Sequence, residues 1–171
     1  MDKESYKFKV AILGEPDIGK TTLNSLCTKH FDFLTEKKTE ELYGVSFAVQ
    51  ILTSINIEIT LVIWNFTGYE KYKKIHKRHI EGASGVLLAF DLTNKKTFDK
   101  LPYWMEFIAN NLPNVPIILM GTKADKFDKK EVPDNEIEEF FNNFKLQGYS
   151  EVSFLTGFNF EPTIKMLANK I

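Results

Sequence analysis

Cysteine is almost absent from this chain of 171 residues, in which Cys27 is the only one. A single cysteine excludes an internal disulfide and a cysteine-rich zinc site, and it suits a reducing compartment. An excess of positive charge is missing too, because the formal net charge is -1 at pH 7. Non-specific nucleic-acid binding needs a clear excess of Lys and Arg on one face, so we expect no nucleic-acid partner.

Long apolar runs are also missing. No run approaches the roughly 18 to 20 residues of a membrane span, and the N-terminal residues MDKESYKFK contain no hydrophobic signal-peptide segment. The C-terminal residues MLANKI contain no cysteine that could be prenylated. We expect a cytoplasmic protein with no lipidation site in this chain, and peripheral contact with a membrane stays open.

The chain does contain strand-like and helix-like segments in alternation, which predicts an α/β fold. Some apolar runs are nearly continuous, as strands covered by helices on both faces are; examples are GVLLAF and VPIILM. VSFAVQIL and IEITLVIW alternate and are joined by TSIN, which predicts a hairpin with one antiparallel edge strand. The length and the 43% hydrophobic content suit one domain over residues 1–171.

Residues 14–22, GEPDIGKTT, satisfy the pattern G-x-x-x-x-G-K-[ST] between a predicted strand and a predicted helix. Such a turn directs successive main-chain N–H groups at a phosphate chain. Lys20 is expected to reach the outer phosphates, and the Thr21 hydroxyl is expected to bind Mg²⁺. The alternative is a strand-to-helix turn with an incidental lysine. The predicted nucleotide contacts here are Gly14, Asp17, Ile18, Gly19, Lys20, Thr21 and Thr22.

Three residues inside this motif oppose phosphate binding. Pro16 has no N–H to donate, and the carboxylates of Glu15 and Asp17 add negative charge near a polyanion. We expect binding to survive if these carboxylates point outward, because the donors from Asp17 to Thr21 remain.

A second motif, GTKAD at 121–125, follows the predicted strand VPIILM. The Asp125 carboxylate can accept from guanine N1–H and from the exocyclic amine, a donor pair that adenine lacks, and Lys123 can lie over the base. The alternative for Asp125 is a turn residue after a strand.

These motifs and four others occur in an order that resembles the Ras superfamily of small GTPases, and most of all its Rab-like branch. The four are GVSF at 44–47, WNFTGYEKY at 64–72, EGASGVLLAFDLT at 81–93 and EVSFLTGFNFE at 151–161. The resemblance implies a three-layer P-loop fold with a six-stranded, mostly parallel sheet, one antiparallel edge strand and about five helices. It also implies GTP or GDP with Mg²⁺ as ligands, and protein effectors, an exchange factor and a GTPase-activating protein as possible partners.

The resemblance assigns further base contacts. Thr122 stands where the family usually has Asn, as in its Rho branch, so guanine preference is expected to survive. In the last motif, Ser153 matches the Ser of the family's Ser-Ala-Lys, while Phe154 and Leu155 replace the Ala and the Lys. The main-chain N–H of Phe154 is expected to read the guanine carbonyl, if its ring has room.

The sequence departs from the family at the groups around the γ-phosphate. Leu42 stands where the first switch segment (32–47) should have a Thr, unless the alignment is shifted by a few residues towards Thr35 or Thr39. Asn65 replaces the Asp that holds the metal through water, so Mg²⁺ should bind less tightly. Tyr69 replaces the Gln that orients the attacking water.

Gly68 is retained in the second switch segment (66–80), and its N–H can still contact a γ-phosphate. The expected catalytic positions are therefore Lys20, Gly68 and Tyr69. We predict a guanine-nucleotide switch with slow GTP hydrolysis, in signalling or membrane trafficking. The alternative is a pseudo-GTPase, a nucleotide-stabilised interaction module without significant hydrolysis.

A basic run covers residues 71–79, KYKKIHKRH. Such a run is usually a solvated face, although an acidic partner or an anionic membrane is an alternative. His30, His76 and His79 have no carboxylate or cysteine at ligand spacing, so we expect surface histidines and no transition-metal site. Phe47 and Trp64 occupy two places of the family's three-residue aromatic effector surface, with His79 as the third, and core packing is the alternative for both.

Overall fold

The computed structural model describes residues 3–23, 26–27, 29–30 and 44–171, with only the main chain of Thr21, Lys29, His30 and Lys73. The strands are β1 Glu4–Leu13, β2 Lys29–His30, β3 Val45–Thr53, β4 Ile57–Phe66, β5 Gly85–Asp91, β6 Ile117–Thr122 and β7 Gly148–Glu151. The helices are α1 Lys20–Leu23, α2 Lys73–His79, α3 Lys95–Phe98, α4 Leu101–Asn111, α5 Asp134–Asn143 and α6 Phe160–Ala168. Short 3₁₀ helices cover Glu70–Tyr72 and Ala124–Lys129.

The strands form one sheet in the order β2-β3-β4-β1-β5-β6-β7. Strands β4, β1, β5, β6 and β7 are parallel to one another, and β3 is antiparallel to β4. The predicted α/β fold with a mostly parallel sheet is therefore confirmed. The two-residue β2 pairs with the outer side of β3 and adds a seventh strand to the six that were predicted.

Strand β1 lies in the middle of the sheet, and the side chains of its last four residues, Val10 to Leu13, are apolar and buried on both faces. Ala11 and Leu13 face one buried cluster, together with α4 and α5. Val10 and Ile12 face the other cluster, together with α1 and α6. Successive strand residues point to opposite faces, so both clusters cover β1 and its carboxyl end opens at the centre of one sheet edge.

Each helix that matters for the site is fixed by its apolar stripe. Helix α6 buries Phe160, Ile164 and Leu167, which follow the three- and four-residue spacing of one helix face. Helix α4 does the same on the opposite face of the sheet with Leu101, Trp104, Met105 and Ile108. No helix among the described residues is long and apolar enough to cross a bilayer.

The α6 stripe gives a stability prediction. Ile164 is completely buried, so Ile164→Ala leaves a cavity and should lower the free energy of unfolding by about 2–5 kcal/mol. Ile55 is 90% exposed, and Ile55→Ala should change it by less than about 0.5 kcal/mol. Urea unfolding of both variants measures the difference, and equal losses would contradict the assigned packing.

Candidate functional site

The predicted site residues gather at the carboxyl ends of the parallel strands. The turn of residues 14–20, called the phosphate turn below, follows β1. Asn65 lies near the end of β4, Asp91 ends β5, and Thr122 ends β6. Ser153 follows β7. In open α/β sheets this edge is where ligands bind.

The phosphate turn requires a backbone that side chains would obstruct. Gly14 has a φ of +149°, and a Cβ there would lie 2.2 Å from the Ala89 carbonyl oxygen. Asp17 and Gly19 also have positive φ, of 63° and 94°. The main-chain N–H groups of Asp17, Ile18 and Gly19 donate to no group among the described residues. Such consecutive free donors form an anion-binding concavity.

Lys20 places its ammonium inside this turn. The side chain is 5% exposed, and Nζ donates to the Gly14 carbonyl at 3.0 Å and to the Glu15 carbonyl. Both of these acceptors are neutral carbonyl oxygens, and they orient the ammonium towards the turn. The arrangement can hold an anion against the turn.

Asn65 braces the same turn from β4. Its Nδ2 donates to the Lys20 carbonyl at 2.8 Å. Its Oδ1 is buried and accepts no hydrogen bond from the described residues. A buried acceptor without a partner costs about 1–3 kcal/mol, so this oxygen can take a donor such as a metal-bound water.

Glu15 points away from the turn. Trp104 Nε1 on α4 donates to Glu15 Oε1 at 3.0 Å, and Asp17 is exposed. The condition that the carboxylates leave the phosphate position is thus met for Glu15. Sequence reasoning missed Trp104, although a tryptophan on the buried stripe of a helix needs an acceptor for its indole N–H.

A cavity of about 190 Å³ continues from the phosphate turn towards the loops after β6 and β7. Its lining residues are Ile18, Gly19, Thr22, Lys123, Asp125, Lys126, Phe154 and Leu155. Ser153 Oγ donates to Asp125 Oδ1 at 2.6 Å and fixes this carboxylate at the cavity. The second oxygen, Oδ2, has no partner among the described residues, so it is free to accept from a ligand.

Phe154 fits in a position where a small residue was expected. Its ring is 4% exposed and packs edge-to-face on Phe160, with 6.1 Å between the ring centroids. The ring therefore lies in the core, and the main-chain N–H of Phe154 donates to no described residue. Leu155 is 73% exposed at the cavity rim.

Lys123 and Thr122 are held by β5. Lys123 Nζ lies 2.5 Å from Asp91 Oδ2, while the other Asp91 oxygen accepts from the main chain and hydroxyl of Thr93. The aliphatic stem of Lys123 can then cover the cavity. Thr122 Oγ1 donates to the Phe90 carbonyl at 2.9 Å, which uses the hydroxyl within the sheet.

The second switch segment touches the phosphate turn through Gly68. A Cβ on Gly68 would lie 2.3 Å from the Gly14 carbonyl oxygen, so only glycine permits this approach. The next residue, Tyr69, is 47% exposed, and its phenol contacts no described partner. The Thr21 side chain and residues Thr35, Thr39 and Leu42 lie outside the described part of the chain.

His76 is not the surface residue that the sequence suggested. It is completely buried, its Nε2 lies 3.1 Å from the Gly44 carbonyl oxygen, and its Nδ1 has no partner among the described residues. The Phe66 ring packs edge-to-face on it at 5.0 Å. Burial lowers the pKa of His76 to about 4; the hydrogen bond to Gly44 opposes this shift, and the charges of His79 and Lys20 add to it. His76 thus joins α2 to the start of β3 as a neutral ring.

An aromatic surface is formed by Phe47, Trp64 and His79. All three side chains are partly exposed, and their rings lie next to one another. Phe47 and Trp64 rings meet edge-to-face at 4.6 Å, and His79 lies 6.1 Å from Trp64. Lys9 Nζ lies 3.9 Å from the Trp64 ring centroid. In the adjoining basic run, Lys71, Lys74, Lys77 and Arg78 are exposed.

The phosphate turn between β1 and α1, with the Asp125 carboxylate fixed at the adjoining cavity, is the architecture of a P-loop nucleotide-binding protein. Comparison with known proteins identifies the family. The sequence model of the Ras family matches residues 9–171. "Ras-related protein Rab11A" of Lotus japonicus is 30% identical over 170 residues, which cover 99% of this chain and 74% of that protein.

Two further relatives agree. "Ras-related protein RABA4b" of Arabidopsis thaliana is 31% identical over 99% of this chain and 74% of its own length. "GTP-binding protein ypt4" of Schizosaccharomyces pombe is 30% identical over 94% of this chain and 70% of its own length. The chain belongs to the Ras family, and its relatives are of the Rab type.

The buried His76 gives a prediction of pH dependence. Because its pKa is about 4 in the folded protein and about 6.5 when unfolded, only the unfolded chain binds a proton between these values. The free energy of unfolding should therefore fall as the pH is lowered from about 6.5 towards 4, by up to about 1.4 kcal/mol per pH unit from this group. Denaturant unfolding at several pH values measures the slope.

The matched variants are His76→Phe and His79→Gln. His76→Phe keeps an aromatic ring beside Phe66 and Tyr72, and Gly44 keeps its hydrogen bond from the Thr67 N–H at 2.9 Å. This variant should flatten the slope, whereas His79→Gln should leave it steep. Equal slopes in wild type and His76→Phe would show that the imidazole is not the group responsible.

Proposed function

We propose that this protein is a guanine-nucleotide switch of the Rab type that binds GDP and GTP with Mg²⁺, hydrolyses GTP slowly and acts in intracellular trafficking. The observation that carries the proposal is the phosphate turn itself. The main-chain N–H groups of Asp17, Ile18 and Gly19 donate to no described residue, and Lys20 Nζ donates to the Gly14 carbonyl of the same turn. A di- or triphosphate chain satisfies these groups together, and Thr21 and Thr22 follow them at the start of α1, where the Thr22 N–H also donates to the Gly19 carbonyl at 3.0 Å.

Guanine is the base that the cavity favours. Asp125 has one oxygen held by Ser153 and one without a partner among the described residues, which suits the paired N–H donors of guanine. Lys123 covers the cavity with its stem, and the free N–H of Phe154 can donate to the guanine carbonyl. A site built to pair buried or fixed polar groups discriminates strongly against a ligand that leaves them unpaired.

The residues present fit a Mg²⁺ ion held mainly by the nucleotide and water. Asn65 Oδ1 is a buried oxygen acceptor without a partner in the described part of the chain, and oxygen ligands with several retained waters are what Mg²⁺ requires. Thr21 would supply a hydroxyl and Asn65 would accept from a metal-bound water. When bound, the ion neutralises charge on the phosphate oxygens. Asn65 lacks the charge of an Asp, so the ion is held less tightly.

The proposal of slow hydrolysis depends on the groups that would lie next to the γ-phosphate. The Gly68 main chain contacts the turn and its N–H can donate to a γ-phosphate, and Lys20 can stabilise charge there. Tyr69 points to solvent, and a phenol cannot orient water through a donor and an acceptor as a Gln amide does. Because phosphoryl transfer depends on positioning and electrostatics, the rate falls while binding survives.

Effectors and regulators of this switch would meet the aromatic surface of Phe47, Trp64 and His79. Its rings connect β3, β4 and α2, which border both switch segments. The exposed cations of the basic run lie beside it and favour partners with acidic groups. We propose a cytoplasmic protein that works at the periphery of a membrane.

A second candidate is the pseudo-GTPase, a nucleotide-stabilised interaction module. The exposure of Tyr69 and the neutral Asn65 favour it, because both remove groups used for hydrolysis or for tight metal binding. In that case the nucleotide stabilises the fold and the loops respond little to the γ-phosphate.

The binding proposal is tested with Lys20→Ala. Calorimetric titration with GDP and Mg²⁺ should show an affinity at least about 100-fold below wild type, since the ammonium that would donate charge-assisted hydrogen bonds to the phosphates is lost. Lys165→Ala is the control, because Lys165 pairs with Glu161 on the exposed side of α6. ADP should bind neither protein measurably. Absence of GDP affinity in wild type would overturn the proposed function.

The hydrolysis proposal is tested by single-turnover GTP cleavage. Tyr69→Gln should raise the rate about ten-fold or more, because an amide can orient the attacking water. Asn65→Asp should lower the Mg²⁺ concentration needed to retain GDP by about ten-fold, through its added charge. Thermal unfolding is followed in parallel, since this variant also loses the donor to the Lys20 carbonyl.

The same measurements separate the two candidates. A switch requires detectable GTP turnover in wild type. It also requires that, in the presence of Mg²⁺, the affinity for GDP differs from that for a non-hydrolysable GTP analogue. No turnover in wild type together with equal affinities would support the pseudo-GTPase and reject the switch.

A further inference from the structure

One carboxylate of the phosphate turn is bound by a distant helix. Trp104 on α4 donates from Nε1 to Glu15 Oε1 at 3.0 Å across 89 positions of the sequence. Trp104 is 1% exposed, so its indole is part of the core while its N–H reaches the turn. None of the nucleotide contacts proposed above includes Trp104.

The indole is a rigid donor. Its ring packs edge-to-face on Tyr103 and on Phe107, with centroids 5.5 Å and 5.9 Å away. Leu101 and Met105 bury the same stripe of α4. An indole N–H can only donate and costs stability when buried without an acceptor. The helix therefore holds the Glu15 carboxylate in place without having to order a mobile side chain.

Without this bond, the carboxylate of Glu15 would compete with a nucleotide. The main-chain oxygen of the same residue accepts from Lys20 Nζ, so the Glu15 side chain is attached next to the ammonium that phosphates need. A carboxylate near that ammonium would neutralise it, and it would repel the phosphate oxygens. A negative residue inside an anion-binding turn requires a restraint of this kind.

We propose that Trp104 is a positioning residue for nucleotide binding, which holds the Glu15 carboxylate on the α4 side of the phosphate turn and so keeps its negative charge away from Lys20 and from the phosphates. This inference rests on the proposed function. It explains how a turn that contains Glu15 remains an anion site. It also makes nucleotide affinity depend on a core helix that contacts no nucleotide.

The test is a double-mutant cycle between Trp104→Phe and Glu15→Gln, read by displacement of a fluorescent N-methylanthraniloyl GDP. Trp104→Phe keeps a buried ring and removes the donor, and it should weaken binding roughly ten-fold, the effect of one unit charge near the phosphates. Glu15→Gln removes the charge and should bind at least as tightly as wild type. The double variant should return to within about two-fold of Glu15→Gln.

The rescue distinguishes positioning from packing. If Trp104 only stabilises α4, the loss caused by Trp104→Phe persists when Glu15 is Gln, and the inference is rejected. The positioning role also predicts that the loss shrinks as salt is raised from 0.05 to 0.5 M, because the released charge is screened. A salt-independent loss would reject it as well.

Two controls keep the outcome clear. Met105→Leu alters the same buried stripe without touching the phosphate turn and should leave the affinity within about two-fold. If Trp104→Phe does not fold, the tryptophan analogue β-(3-benzothienyl)alanine is placed at position 104. It has a ring of the same shape with sulfur instead of N–H, and Trp64→Phe ensures that position 104 is the one that carries it. Wild type without GDP affinity would reject the proposed function, whereas binding by wild type and an unchanged Trp104→Phe would reject this inference alone.

Discussion

The close approach of main chains at the phosphate turn is the constraint on which the rest of the site depends. Gly14 lies against the Ala89 carbonyl of β5, and Gly68 lies against the Gly14 carbonyl from the other side. Neither approach leaves room for a Cβ. Asn65 and Trp104 then bond to the turn from β4 and α4. Four contacts from parts of the chain far from the turn in sequence therefore fix it, and its main-chain donors keep one orientation.

Much of the fold and of the binding groups could be predicted because they depend on local sequence. The strand runs have the continuous apolar pattern of buried parallel strands, and the glycines of the turn occur where positive φ is needed. Asp125 could be assigned because a carboxylate after a buried strand must lie at the carboxyl edge of the sheet. These inferences need no knowledge of partners distant in the sequence.

Other features depend on tertiary contacts and could not be predicted in the same way. The Trp104–Glu15 bond joins two elements whose mutual position only the assembled sheet determines. His76 was expected at the surface because it stands among lysines. Its burial has a signal in hindsight, since Tyr72, His76 and Ile80 recur every four residues and are all buried. The many lysines around it made this buried stripe hard to recognise in the sequence. The stripe determines which face of α2 packs against β4.

The site shows that binding and hydrolysis make different demands on a sequence. Binding in the proposed function uses main-chain N–H groups, one ammonium and one carboxylate, and main-chain groups persist through most substitutions. Hydrolysis uses side chains that position water and charge, and Asn65 and Tyr69 stand at those positions. Gly68 and the Asn65 amide both brace the phosphate turn, so an Asn at position 65 supports the cradle although it lacks the charge of an Asp. A partner that inserts its own donor beside Gly68 could then restore the missing positioning, which would place control of hydrolysis outside this chain.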